Sequence, residues 1–190
     1  MVTTNDAQLA ERLRLLRSHG MVRDAAQFSG SEQGPWVYEQ QELGFNYRMT
    51  EIQAALGLSQ LQRLPQLQER RQALADRYDR LLAELPLLLP ARLAGRQSAW
   101  HLYVVEIDET RSGADRRAVF ERLRAAGIGV NVHYIPIHTQ PFYRARGFRD
   151  GDFPQAERYY RRAISLPLHP ALTHDDQQYV VDTLRAALAA

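Results

Sequence analysis

The longest periodic stretch of the chain, from Thr50 to Pro86, sets what the rest can build. Thr50 and Gln53 have the spacing of a capping box, in which each side chain takes the other's backbone N–H, so a helix opens here. Pro65 lacks a donor and crowds the preceding turn, and it is expected to kink or restart that helix. Beyond it Leu67, Arg71, Leu74, Tyr78, Leu81 and Leu85 recur at helical spacing until Pro86 ends the run. A stripe this short belongs to a helix packed on its own domain rather than to a coiled coil. With 190 residues the chain has room for one ordinary domain, or for one domain and part of another.

Ahead of that helix, Val2-Thr3-Thr4 has the β-branched character of a strand. Asn5 or Asp6 can cap a helix to about Arg17, with Leu9, Leu13 and Leu16 at helical spacing and Gly20 as its terminator. A first strand with no partner nearby suggests that residues ahead of it complete a sheet. From Met21 to about Tyr47 no period holds. Gly30, Gly34 and Pro35 accompany Phe28, Trp36, Tyr38, Phe45 and Tyr47, which reads as an ordered loop packed on something.

After the helix, residues 99–107 read as a strand and Asp108 to Gly113 as a turn. Asp115 to Ala126 form a helix with Val119 and Leu123 inward, closed by Gly127. Ile128 to Tyr134 give a second strand, followed by a loop with Pro136, Pro141 and Gly147. A helix starts near Pro154 with Asp152 placed to cap it. Ile164-Ser165-Leu166 is a short strand, and Thr173 caps a last helix with Val180, Val181, Leu184 and Leu188 inward. The order of elements gives an α/β layer, strands on one side and helices covering them.

Charge limits the chemistry. All 24 basic residues are Arg, and a guanidinium stays protonated, so no side chain supplies a neutral amine. Runs such as Gln68-Glu69-Arg70-Arg71 and Asp76-Arg77-Tyr78-Asp79-Arg80 interleave the signs, as on a solvated helix face. At a net charge of +2 this excludes a one-signed nucleic-acid footprint. There is no cysteine, hence no disulfide and no thiolate metal site. No apolar run nears the ~20 residues of a membrane span, and Leu87-Leu88-Leu89 is hemmed by Pro86 and Pro90. The first residues lack a cationic start, so a cytoplasmic location is expected.

Two segments carry polar groups in suggestive places. In Gly44-Phe45-Asn46-Tyr47-Arg48-Met49-Thr50, Asn46 and Arg48 precede a helix N-terminus, which favours an anion, although these residues by themselves favour an ordinary cap with Arg48 paired to Glu51. In the run from Gly127 to Tyr143, His133, Tyr134, His138 and Asn131 gather where a strand passes into a loop. Packed, hydrogen-bonded histidines are the plain alternative. Spacing of five puts the two imidazoles on opposite faces of a strand, which argues against a shared metal.

Taken together, the segments resemble the DegT/DnrJ/EryC1/StrS family of nucleotide-sugar aminotransferases. Arg17-Ser18-His19-Gly20-Met21, Gly-Phe-Asn-Tyr-Arg-Met-Thr-Glu-Ile-Gln-Ala-Ala, Trp100-His101-Leu102-Tyr103, the Gly127–His138 run and Ile164-Ser165-Leu166-Pro167-Leu168 follow in family order. Gly34-Pro35-Trp36-Val37-Tyr38-Glu39-Gln40 further resembles the branch that aminates UDP-4-keto-6-deoxy-N-acetyl-L-altrosamine on the way to pseudaminic acid.

The resemblance implies the C-terminal small domain of a fold-type I enzyme dependent on pyridoxal phosphate (PLP), with the tail of its large domain. Residues 1–48 would be that tail, and 49–190 the linking helix and small α/β domain. It implies a homodimer with shared active sites, glutamate as amino donor and a UDP-sugar ketone as acceptor. Asn46 would reach the partner's cofactor phosphate, Arg48 would sit near it or the substrate, and His138 would lie beside the sugar, with His133 and Tyr134 weaker candidates. His19 and His101 look structural. The lysine that anchors PLP as a Schiff base and shuttles the proton has no counterpart here, so a catalytically incomplete fragment is expected. The amine of Met1 has nothing to position it for that task. A non-catalytic module pairing with a full-length aminotransferase is the alternative.

Overall fold

The computed structural model describes residues 2–30 and 34–189. Met1, and with it the question of its amine, lies outside them. The chain divides into two compact units, Met1–Gln62 and Arg63–Ala190.

In the first unit, helix α1 (Ala7–Leu16) starts where Asp6 accepts the N–H groups of Gln8 and Leu9. Val2 to Thr4 form no strand; they are exposed, and no segment among the described residues pairs with them, without which β-branched residues cannot hold a ladder. At the exit of α1 it is His19, as well as Gly20, that turns left-handed, at φ 64° and 69°. Gly20 leaves no room for a side chain, since a Cβ would fall 1.9 Å from the Glu42 carbonyl oxygen. Strands β1 (Met21–Val22) and β2 (Glu39–Gln40) pair antiparallel. The expected ordered loop is thus held by backbone bonds rather than by buried rings. Trp36 and Tyr47 are both 74% exposed, although Phe45 and Tyr47 stack on one another at 4.9 Å. Glu39 ties the loop by accepting the N–H groups of Ser29 and Gly30, which hold its carboxyl below the usual range.

Helix α2 (Glu51–Leu82) opens with the expected capping box between Thr50 and Gln53, and Pro65 does not restart it. Every residue from Glu51 to Gln66 is exposed; burial starts at Leu74.

The second unit is built on one three-stranded antiparallel sheet: β3 (Leu87–Leu88), β4 (Tyr103–Ile107) and β5 (Ala163–Leu166), with β4 central. β4 alternates, burying Tyr103, Val105 and Ile107, while all of β5 is buried. Leu87-Leu88 forms an edge strand that periodicity does not mark, with Pro86 and Pro90 flanking it rather than interrupting a ladder. One strand expectation is corrected here. Residues 128–134 make only a single bridge, Asn131 to Ser165. The Asn131 side chain takes the next backbone N–H, Val132, which competes with ladder bonding.

Helices α3 (Arg116–Ala125), capped by Asp115, and α6 (His174–Ala189), opened by Thr173 and Asp176, bring Val119, Leu123, Val180, Val181, Leu184 and Leu188 into the core with Leu74, Tyr78 and Leu82. Each such burial contributes about 1.5–3 kcal/mol. α4 (Pro141–Arg144) and α5 (Pro154–Arg162) complete the unit. Asp152 does not cap α5; its carboxylate accepts the Arg149 N–H in the preceding turn.

The arginines of α2 are more than a solvated face. Arg70 donates to the carbonyls of Pro170 and Leu172, and Arg71 to those of Trp100, His101 and Leu168. Arg77 donates to Gln177, which is fully buried and donates in turn to the Leu74 carbonyl. A rigid fork of five donors suits irregular segments whose carbonyls have no ladder partner.

Candidate functional site

The sequence-based site residues fall in both units. In the first, Asn46 is fixed by its backbone: its neighbours Phe45 and Tyr47 donate to the Leu16 and Arg17 carbonyls, and Asn46 itself bridges Ser18. Gly44 permits this close passage, because a Cβ there would meet Gly20 N at 2.3 Å. Asn46 and Arg48 are exposed just ahead of α2. The Arg48–Glu51 pair does not form; among the described residues of this unit the ion pair is Arg12–Glu42.

In the second unit the run 131–139 starts at the free edge of β5, where Asn131 bridges Ser165. Ser165 donates its N–H to the Asn131 carbonyl at 2.8 Å. His133 is half-buried, with Nδ1 2.7 Å from Ser165 Oγ and Nε2 3.3 Å from Asn131 Nδ2. Tyr134 is 71% exposed, its ring edge-on to His133 at 4.6 Å. Pro136 accepts the N–H and hydroxyl of Thr139, closing a 3-10 turn over Ile137–Thr139 that drives His138 inward. His138 is 7% exposed, and its Nε2 donates to Glu157 Oε1 at 2.8 Å. The same oxygen accepts the Gly151 N–H at 2.7 Å. The His138 bond, then the Gly151 bond, hold the Glu157 carboxyl below the usual range. Beside His138 opens an apolar recess of about 320 Å3, walled by Ile137, Tyr143, Phe148 and Phe153.

His133 and His138 therefore engage different partners, and no group of metal-ligating side chains occurs among the described residues. Glu157 and Ser165 escaped the sequence reading. Glu157 stands nineteen residues from His138, beyond any local spacing rule. Ser165 did leave a signal: it is the polar member of an otherwise apolar strand, a position that needs a hydrogen-bond partner.

The described donors suit one end of a phosphorylated aldehyde cofactor and not the other. Asn46 and Arg48 offer exposed N–H groups for a phosphate, whereas the absence of lysine leaves no side-chain amine for a covalent link to the aldehyde.

Comparison with known proteins gives a consistent result. A profile of the DegT/DnrJ/EryC1/StrS aminotransferase family matches residues 1–185. The spore coat polysaccharide biosynthesis protein SpsC of Bacillus subtilis (strain 168) is 40% identical over 188 residues, covering 97% of this chain and 48% of that protein. Among solved structures, Helicobacter pylori PseC, an aminotransferase involved in the biosynthesis of pseudoaminic acid, superposes with a TM-score of 0.81 at 32% identity, over 97% of this chain and 47% of that one. The aminotransferase TlmJ from Streptoalloteichus hindustanus gives 0.78 at 33% identity, over 97% and 46%. The chain spans about half the length of the curated relatives it matches.

Proposed function

The chain belongs to the DegT/DnrJ/EryC1/StrS aminotransferase family, and on that premise we propose that it is the C-terminal portion of a PLP-dependent sugar-nucleotide aminotransferase. The substrate reading is transfer of the glutamate amino group to the C4 ketone of a UDP-4-keto-6-deoxy-N-acetylhexosamine, as in pseudaminic acid-type biosynthesis. The likeness to PseC and the Gly34–Gln40 run support that choice. Bound PLP supplies the electron sink for such a transfer. The anchoring lysine comes from outside these 190 residues, and this chain contributes side chains around it.

In that role Asn46 and Arg48 hold the phosphate or the substrate's anionic part across a homodimer interface. Tyr134 presents an exposed phenol to the sugar, and His138 stands beside it; His133, with both ring nitrogens engaged, is the weaker contact. The site acts in the cytoplasm. One observation carries the reading: a family match over nearly the whole chain, joined to the want of any side-chain amine.

The test is reconstitution. The 190-residue chain with PLP, glutamate and the UDP-ketosugar is expected to give neither the absorbance of lysine-bound cofactor nor turnover. Adding a polypeptide that carries the lysine-bearing half of the enzyme is expected to restore both. Turnover by the chain alone refutes the proposal. The second reading, a non-catalytic module that pairs with a full-length aminotransferase, draws on the exposed Ile52, Leu56, Leu58 and Leu61. It predicts co-purification with such an enzyme and no gain of activity from the lysine-bearing half.

A further inference from the structure

The two imidazoles of the 131–139 run have neighbours that dictate opposite proton positions. Asn131 Oδ1 accepts the Val132 N–H at 2.8 Å, which fixes the amide so that its Nδ2 faces His133. An amide N–H only donates, so His133 Nε2 must be a bare acceptor. The ring proton then sits on Nδ1 and is donated to Ser165 Oγ at 2.7 Å. That acceptor is stationary: Ser165 is buried, registered with Val104 on one side and bridged to Asn131 on the other.

At His138 the sign is reversed. A carboxylate only accepts, so Nε2 carries the proton donated to Glu157. The Gly151 N–H on the same oxygen keeps that carboxylate in place. Among the described residues His138 Nδ1 has no hydrogen-bond partner. Every fully buried side-chain nitrogen or oxygen there is paired, so this nitrogen is not sealed in, and its ring borders the apolar recess.

We propose that Asn131, Ser165 and Glu157 are positioning residues that set the two rings in opposite tautomers, closing both nitrogens of His133 and leaving His138 Nδ1 as the imidazole nitrogen of this segment that meets a substrate hydroxyl or carbonyl. The substrate contact rests on the aminotransferase reading; the ring assignment stands on the hydrogen-bond geometry alone. It divides the labour within the motif: His133 fastens the segment that displays Tyr134 to β5, and His138 faces the ligand.

The experiment is long-range 15N–1H correlation on the full chain labelled at histidine, at a pH well above the ordinary imidazole value of about 6.5. His133 is expected to show a protonated Nδ1 and a bare Nε2, the arrangement that the free histidine side chain disfavours; His138 is expected to show the reverse. Ser165→Ala should abolish the single Nδ1–H state of His133, and Ser165→Thr, which keeps the hydroxyl, should restore it. Asn131→Asp, at an exposed position, should put a proton on His133 Nε2, because a carboxylate now faces it. A residue that merely filled space would leave the ring nitrogens of these variants unchanged. Wild-type His133 protonated at Nε2, or a spectrum unaltered by Ser165→Ala and Asn131→Asp, overturns the proposal. The readout needs neither cofactor nor sugar, so failure of the aminotransferase reading would leave these spectra as expected.

Discussion

The unit over residues 63–190 buries a continuous apolar cluster, whereas the unit over 1–62 is ordered with almost nothing inside it. In the former, two strands and three helices bring Tyr78, Val105, Ile107, Leu123, Ile164 and Leu184 to zero exposure. In the latter α1 buries no residue, and its shape is held by main-chain bonds such as Phe45 N–H to Leu16 O and by the Glu39 tie. The two halves of α2 repeat the contrast: all exposed to Gln66, then Leu74, Ala75, Tyr78 and Leu82 buried. Hydrophobic burial fixes the larger unit, and backbone geometry fixes the smaller. A region of the second kind depends on partners for its stability far more than one of the first.

The sharpest way to break this contrast is the same truncation in each unit. Leu184→Ala should cost about 2–5 kcal/mol in urea denaturation, whereas Leu56→Ala should stay within about 0.5 kcal/mol. Equal costs would show that α2 has a core at its N-terminal end after all. Next in size, Arg71→Lys should lose about 1.5–3 kcal/mol, because Nη1 alone serves the Trp100, His101 and Leu168 carbonyls and the shorter lysine side chain holds its ammonium short of that point. A neutral result there would reduce Arg71 to surface charge.

Gly20→Ala should cost about 1 kcal/mol or more, through its left-handed φ and the Glu42 carbonyl in its path. Its effect should appear as faster hydrogen exchange at Gln41 and Phe45 and not in β4. Exchange accelerated equally throughout the chain would contradict the separation of the units. The smallest effect is that of acid. Glu39 and Glu157 both have carboxyls held below the ordinary 4.5. Their contribution is present above that value and fades as pH falls through the depressed native one. Glu39→Gln and Glu157→Gln should each flatten that acid limb; an unchanged pH profile would discount the ties.

What was legible in the sequence follows the same division. Periodicity found α3 and α6 with their inward residues, because Val119, Leu123, Val180, Val181, Leu184 and Leu188 sit at helical spacing over a real core. Capping chemistry found Asp6, Thr50 and Thr173, since a cap is a local hydrogen bond. What failed was non-local. Val2 to Thr4 look like a strand but have no partner, and Asp152 looks like a cap but serves Arg149. Residues 128–134 alternate correctly yet yield their ladder to the Asn131 side chain. The site shows the same limit. His133, Tyr134 and His138 could be named from their motif, while Glu157 and Ser165, which hold the two rings, are joined to them only by the fold.

The guanidinium forks on α2 carry a consequence for handling the protein. Trypsin cuts after lysine or arginine and here has arginine alone to choose from. Arg70, Arg71 and Arg162 are bound to main-chain oxygens and half-buried, so the native chain should resist cleavage after them, while Arg48 stands open in an exposed segment. A short digestion thus becomes a chart of which cations stitch the architecture and which merely dissolve it.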